Sequence, residues 1–139
     1  MSLFVLDTDT LTLWLRGHPR VCERIAAHDP SELCTTIVTI EEMLRGWYTQ
    51  IRRAKSDLQI ARAYASLQQT LQIAARLRVL AFDQAAIQRF NELRARKLRV
   101  GANDLKIAAI ALENQAFLVT RNQSDFQQIS DLALEDWSQ

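Results

Sequence analysis

Leu3-Phe4-Val5-Leu6-Asp7-Thr8-Asp9-Thr10 is the stretch on which the fold turns. Four apolar residues in succession, without polar alternation, describe a strand covered on both faces, as in the middle of a parallel sheet. The acid that ends such a strand falls at the carboxyl edge of the sheet, where open α/β folds gather their ligands. Asp7 then has two readings. It caps the helix that follows, or it is a functional carboxylate in a crevice. Only the other elements can separate the two.

Beyond Asp9, the residues Leu11, Leu13, Trp14 and Leu15 predict a short helix stopped by Gly17 and Pro19, and a second helix follows over 20–28. Asp29-Pro30-Ser31 is a turn, and 33–37, with its β-branched Thr35, Thr36 and Ile37, is a strand. Thr39-Ile40-Glu41-Glu42 has the form of a capping box, with Ile40, Met43, Leu44, Trp47 and Ile51 along one helical face. The pattern over 57–77 is helical, with Leu58, Ala61, Ala65, Leu67, Leu71 and Ala74 expected inside a hairpin with the preceding helix. A strand over 78–82 leads to Asp83 as the N-cap of a helix carrying Ala86, Ile87, Phe90 and Leu93. Gly101-Ala102-Asn103-Asp104 opens a helix apolar almost all round, which must be buried against the sheet. A strand over 116–119, a helical turn at Asp125-Phe126 and a last strand near 132–134 complete the chain. This alternation predicts an α/β fold of three α/β/α layers with a short, mostly parallel central sheet.

The 139 residues fit a single domain over 1–139, and 48% hydrophobic with 24% charged residues is a globular composition. A net charge of +1 supplies no global attraction to nucleic acid, so any such binding rests on a local patch. Arg94, Arg96, Lys97 and Arg99 form one, either as cations at a helix C-terminus or as phosphate contacts for RNA. Cys22 and Cys34 are expected as free thiols in a cytoplasmic protein without a leader, and no apolar run is long enough to cross a bilayer.

The acids are what single the chain out. Asp7, Glu42 and Asp104 reach one sheet edge from three elements, with Asn122 and Asp125 beside another strand end. Each has a plain structural role available as a cap or dipole partner, but their coincidence exceeds what capping requires. Clustered carboxylates repel and become partly protonated unless a cation joins them. Oxygen donors with no histidine nearby suit Mg²⁺ or Mn²⁺ and not Zn²⁺. Such an ion can activate water and neutralise a leaving oxygen, and phosphodiester hydrolysis is the matching chemistry.

Over nearly its whole length the chain resembles PIN-domain ribonucleases of the VapC toxin type. The resemblance rests on Val5-Leu6-Asp7-Thr8, on Thr39 through Gly46, on Gly101-Ala102-Asn103-Asp104-Leu105-Lys106-Ile107-Ala108-Ala109, and on Leu118-Val119-Thr120-Arg121-Asn122 through Asp125-Phe126. It implies a metal-dependent endoribonuclease in which Asp7 and Asp104 are the principal Mg²⁺ or Mn²⁺ ligands. Glu42 completes the acidic centre and is chosen over Glu41 because the Met-Leu-x-Gly register follows it. It also implies a homodimer inhibited by a VapB-like antitoxin, with Asp125 in the catalytic set and Thr120, Asn122 and Asp9 in support.

The chain departs from that pattern twice. Asn122 stands where many relatives have a fourth acid, leaving that role lost, water-bridged or moved to Asp125, and Asp9 stands where Asn is common. Two rivals follow. Asp7-x-Asp9 after an apolar strand is also how haloacid-dehalogenase-like phosphatases set out nucleophile and acid, although no lysine follows Thr120 to shield a phosphoryl group. A non-catalytic PIN-like binding module is the second, favoured only by Asn122.

Overall fold

Alternation along the first strand builds the layers. Phe4 and Leu6 point into one apolar cluster and Val5 into the other, so the strand is buried on both faces. The structure, a computed structural model, describes residues 2–139. Its elements are β1 (Phe4–Leu6), α1 (Thr8–Leu15), α2 (Pro19–Ala26), a 3₁₀ turn (Pro30–Glu32), β2 (Leu33–Thr36), α3 (Ile37–Arg53) and α4 (Asp57–Arg76). There follow β3 (Arg78–Leu80), α5 (Gln84–Ala95), α6 (Ala102–Glu113), β4 (Phe117–Val119), α7 (Gln123–Phe126) and β5 (Leu134–Glu135). The sheet has the order β3-β2-β1-β4-β5 and every pairing is parallel. The three-layer α/β architecture expected from the sequence is thus present, with β1 at its centre.

The strand order reverses between β1 and β4, where Leu6 stands beside Val119. This is the switch point at which an α/β sheet opens a crevice. Threonines knit its edges: Thr10 donates to the Val119 carbonyl (3.1 Å) and Thr35 to the Leu6 carbonyl (2.8 Å). On one face α5, α6 and α7 bury Phe90, Leu93, Ile107, Ile110 and Phe126 against Val5 and Leu118. On the other, Leu11, Val21, Ile25, Ile40, Met43 and Ile73 from α1 to α4 cover Phe4, Leu6 and Val119.

Several local expectations need correction. β2 stops at Thr36 and α3 begins at Ile37, because the Thr36 hydroxyl accepts from the Thr39 amide (3.0 Å) and serves as the N-cap. Thr39 is therefore inside the helix and forms no capping box with Glu42. The inner face of α4 is Ala63, Thr70 and Ile73, whereas Leu58, Ala61, Ala65 and Leu71 face solvent. Apolar count alone misplaced that face. Thr70 is inward because its hydroxyl accepts from the Trp47 indole (2.8 Å), which pins α4 to α3 as the expected hairpin. Ile87 is 39% exposed on α5. The last strand lies at Leu134–Glu135 and Leu132 packs into the core instead. Gly17 closes α1 with φ +77°, the left-handed conformation expected there. Cys22 and Cys34 are free thiols, and burial pushes the Cys34 thiol up to about 11.

Candidate active site at the switch point

Asp7 leaves β1 as the N-cap of α1, with Oδ1 accepting from the Thr10 amide at 2.8 Å. It also accepts a bond from the Thr120 side chain at the end of β4. The residue is 7% exposed, and burial holds its carboxyl above the ordinary carboxylate value despite those bonds from Thr120 and Thr10. Asp7 is thus a cap, but one buried in the crevice at a standing electrostatic cost.

Glu42 projects from the second turn of α3. Freed from capping, its Oε1 accepts from the Thr8 hydroxyl at 2.7 Å, a link between α1 and α3. Asp104 lies in the first turn of α6, where the N-cap is Gly101 and no side chain caps the helix. Its carboxyl is pushed up to about 6, first by burial and then by the negative charges of Asp7, Glu42 and Asp125. Four carboxylates from β1, α3, α6 and α7 therefore share one electrostatic neighbourhood. Asp125 accepts from the Asn122 side-chain amide (3.0 Å), and the Asn122 backbone N–H donates to the Thr120 hydroxyl (2.9 Å). Asn122 is the N-cap residue of α7, but its side chain makes no bond to the backbone amides of that helix.

Thr8 and Arg121 are additions to the residues singled out from the sequence. The Arg121 guanidinium stands 3.5 Å from Asp9, bridging the end of β4 to the start of α1. Asp9 is exposed and its carboxylate is engaged by Arg121 at the rim of the crevice, although its negative charge still acts on Asp7. A nucleophile and acid arranged as in a phosphatase would need that carboxylate free. Their clue in the sequence was position alone: Thr8 follows the first acid and Arg121 follows the last strand.

The donor set fits a hard divalent ion in oxygen chemistry and charge. Among the described residues no group of three or more His, Cys, Asp or Glu side chains is placed to hold a metal ion together. A partly hydrated Mg²⁺ or Mn²⁺ does not require one, since one or two carboxylates with several waters suffice. A groove of about 350 Å³ is lined by Glu42, Arg45, Gly46, Thr49 and Gln50 of α3 and by Asn103 of α6.

Arg94, Arg96, Lys97 and Arg99 are not joined to these acids. Arg94 lies over the Phe90 ring, and Arg96 approaches Asp131 (3.9 Å) near the amino ends of β4 and β5. Trp14 and Trp47 are half-buried and line two cavities of about 340 Å³, one beside α2 and one between α3 and α4. Among the described residues no helix is long and apolar enough to cross a membrane.

The PIN domain family profile matches residues 4–132. The chain is 28% identical over 142 residues to Ribonuclease VapC1 of Haemophilus influenzae strain R2866, covering 98% of each. It is 28% identical over 141 residues to the tRNA(fMet)-specific endonuclease VapC of Salmonella typhimurium, covering 99% of each. Among solved structures it is similar to a chain of DNA-bound VapBC from Salmonella typhimurium, with a TM-score of 0.79 and 27% identity over 99% of both chains. VapBC-1 from nontypeable Haemophilus influenzae matches with a TM-score of 0.78 and 25% identity, again over 99% of both.

Proposed function

The chain belongs to the PIN domain family, and from that footing we propose that it is a metal-dependent endoribonuclease, the toxin half of a VapBC-type toxin–antitoxin pair. The observation that carries this reading is the carboxyl of Asp104, which feels the charges of Asp7, Glu42 and Asp125 from three other elements. Four acids held together at a sheet switch point are a cost to the fold unless a cation is recruited. Under this reading Asp7 and Asp104 hold Mg²⁺ or Mn²⁺, with Glu42 completing the centre. When bound, the ion supplies an activated water and neutralises charge developing on the phosphate and leaving oxygen.

The chain's own groups do the rest. Thr120 and Thr10 fix the Asp7 carboxylate, Thr8 fixes Glu42, and Asn122 fixes Asp125. Asn122 thereby takes an orienting role where relatives have an acid, and Asp125 serves as the fourth carboxylate. The convergence of four acids on one neighbourhood favours a nuclease over a non-catalytic module. The alternative phosphatase is disfavoured by the exposed Asp9–Arg121 pair.

The same proposal treats 1–139 as one PIN-like domain in a cytoplasmic protein that forms a homodimer and binds a VapB-like antitoxin. Tyr48, Leu58, Ile60, Tyr64 and Leu71 leave apolar surface exposed on the α3–α4 hairpin, beside the Trp47 cavity. A helix laid into such a groove is a common mode of protein recognition.

Incubating the protein with total RNA, with and without Mg²⁺ or Mn²⁺, and mapping new ends tests the central reading. Cleavage is expected only with metal; no new ends under any metal condition would overturn it. The basic group Arg94, Arg96, Lys97 and Arg99 is proposed as an outlying backbone contact. Neutralising Arg94 and Lys97 should lower RNA affinity and reduce the salt slope by about 0.7 per lost phosphate contact, with kcat unchanged. An unaltered slope returns them to a solvated helix end.

A further inference from the structure

Four carboxylates at the switch point repel an RNA backbone, and even a bound divalent cation offsets only half of that charge. A cation belonging to the chain must meet the incoming phosphates. Arg45, paired with Glu41 on its own helix, lines the groove on the Glu42 side, and Lys106 lies over the Phe82 and Phe90 rings. Arg121 differs in position. It directly follows Thr120, whose side chain bonds Asp7, and it precedes Asn122, which orients Asp125. Its backbone is fixed between two site residues while its side chain stays half exposed.

We propose that Arg121 is a phosphate-holding residue for the RNA and that Asp9 is its stand-in partner, occupying the guanidinium until a backbone phosphate displaces it. This rests on the nuclease reading above. The pair is suited to exchange. At 3.5 Å, with both side chains at least half in solvent, it is the kind of ion pair that contributes little to folding. A guanidinium fork matches a phosphate as well as a carboxylate, and a phosphate diester carries the same single charge. The contact also spans β4 and α1 across the crevice, so a phosphate taken there is held at the lip of the acidic centre. Asp9 thereby sets how readily Arg121 is released.

Binding of a labelled, mixed-sequence single-stranded RNA pool is measured against salt in an Asp104→Asn background, which removes cleavage. Adding Arg121→Ala should weaken binding roughly five- to tenfold and reduce the salt slope by about 0.7, the value for one lost phosphate on a single strand. Arg121→Lys should restore the slope but only part of the affinity, since an ammonium keeps the charge and loses the fork. Asp9→Asn should tighten binding when Arg121 is present and change nothing when it is Ala. A merely structural pair would move thermal stability and leave that coupling at zero. Total RNA incubated with the otherwise unaltered protein and Mn²⁺ is the parallel control. If that protein cuts RNA while Arg121→Ala leaves slope and affinity intact, this inference fails and the nuclease reading stands. If it neither cuts nor binds RNA, both fail.

Discussion

Asp104→Asn is expected to abolish RNA cleavage while leaving the metal-free protein as stable as the parent or more so. The side chain caps nothing, so no helix bond is lost on substitution. What is removed is a charge that burial and three neighbouring acids disfavour. An amide is a poor ligand for a hard divalent ion. Loss of groups that merely support a ligand already costs on the order of 10–100-fold, so loss of the ligand itself should cost more. The sign of the pH dependence follows from the raised carboxyl. Between the ordinary carboxylate value and about 6, the folded metal-free protein binds a proton at Asp104 that the unfolded chain has already released. Stability therefore falls as pH rises through that window. Asp104→Asn should flatten the slope without removing it, because Asp7 is shifted in the same direction. Added Mg²⁺ or Mn²⁺ should stabilise the parent above pH 6 and leave the variant unmoved. Thermal unfolding across pH, with and without metal, reads all of this. A variant that melts earlier and still cleaves would make Asp104 a structural residue.

Glu42→Gln separates two roles in the same way, since the amide can still accept from Thr8 and keep α1 against α3. That contact also explains where the sequence misled. Thr39-x-x-Glu42 has the capping-box spacing, but a hydroxyl three residues earlier reaches the Thr39 amide first. Local spacing could not reveal which of two threonines ends the strand, because the decision lies in how β2 is held between β1 and β3. Strand identity was clearer: the apolar runs at Phe4–Leu6 and Phe117–Val119 are buried because helices cover both faces of the sheet. Asp7 and Asp104 could be picked out because each sits at the end of an element whose type was unambiguous, whereas Glu42 lies one turn inside a helix whose start was misread. Arg121 could not, since its meaning depends on Asp9 lying across the crevice, a relation between residues more than a hundred positions apart. The inward face of α4 was hidden for a related reason. Its exposed Leu58, Ile60, Tyr64 and Leu71 look like core by composition, and only the position of α3 and of any partner decides what they meet.

Trp137→Ala should be the most damaging single truncation to stability, costing about 3–5 kcal/mol. In sequence Trp137 sits in a polar tail, Glu135-Asp136-Trp137-Ser138-Gln139, with no apolar periodicity to mark it. In the structure it is 1% exposed and the largest fully buried side chain. Its ring stacks on His28 at 4.5 Å and meets Phe4 of the central strand at 5.4 Å, with the Arg24 guanidinium 5.6 Å from its centroid. The indole N–H donates to Glu135 Oε1 at 2.8 Å, so the polar edge is satisfied and the whole ring is available for packing. Arg20 adds a two-pronged contact to the carbonyl of Gln139, fastening the tail to α2. The loss is a large share of the ~5–15 kcal/mol that holds a domain of this size together. It also bears on the site, because the Glu135 carbonyl accepts from the Thr120 amide at 2.8 Å and Thr120 braces Asp7. Trp14→Ala and Trp47→Ala, at half-buried positions, should cost less. Urea unfolding of the three variants gives the order directly. A Trp137→Ala midpoint at or above those of the other two would mean that the tail is an appendage and not part of the core.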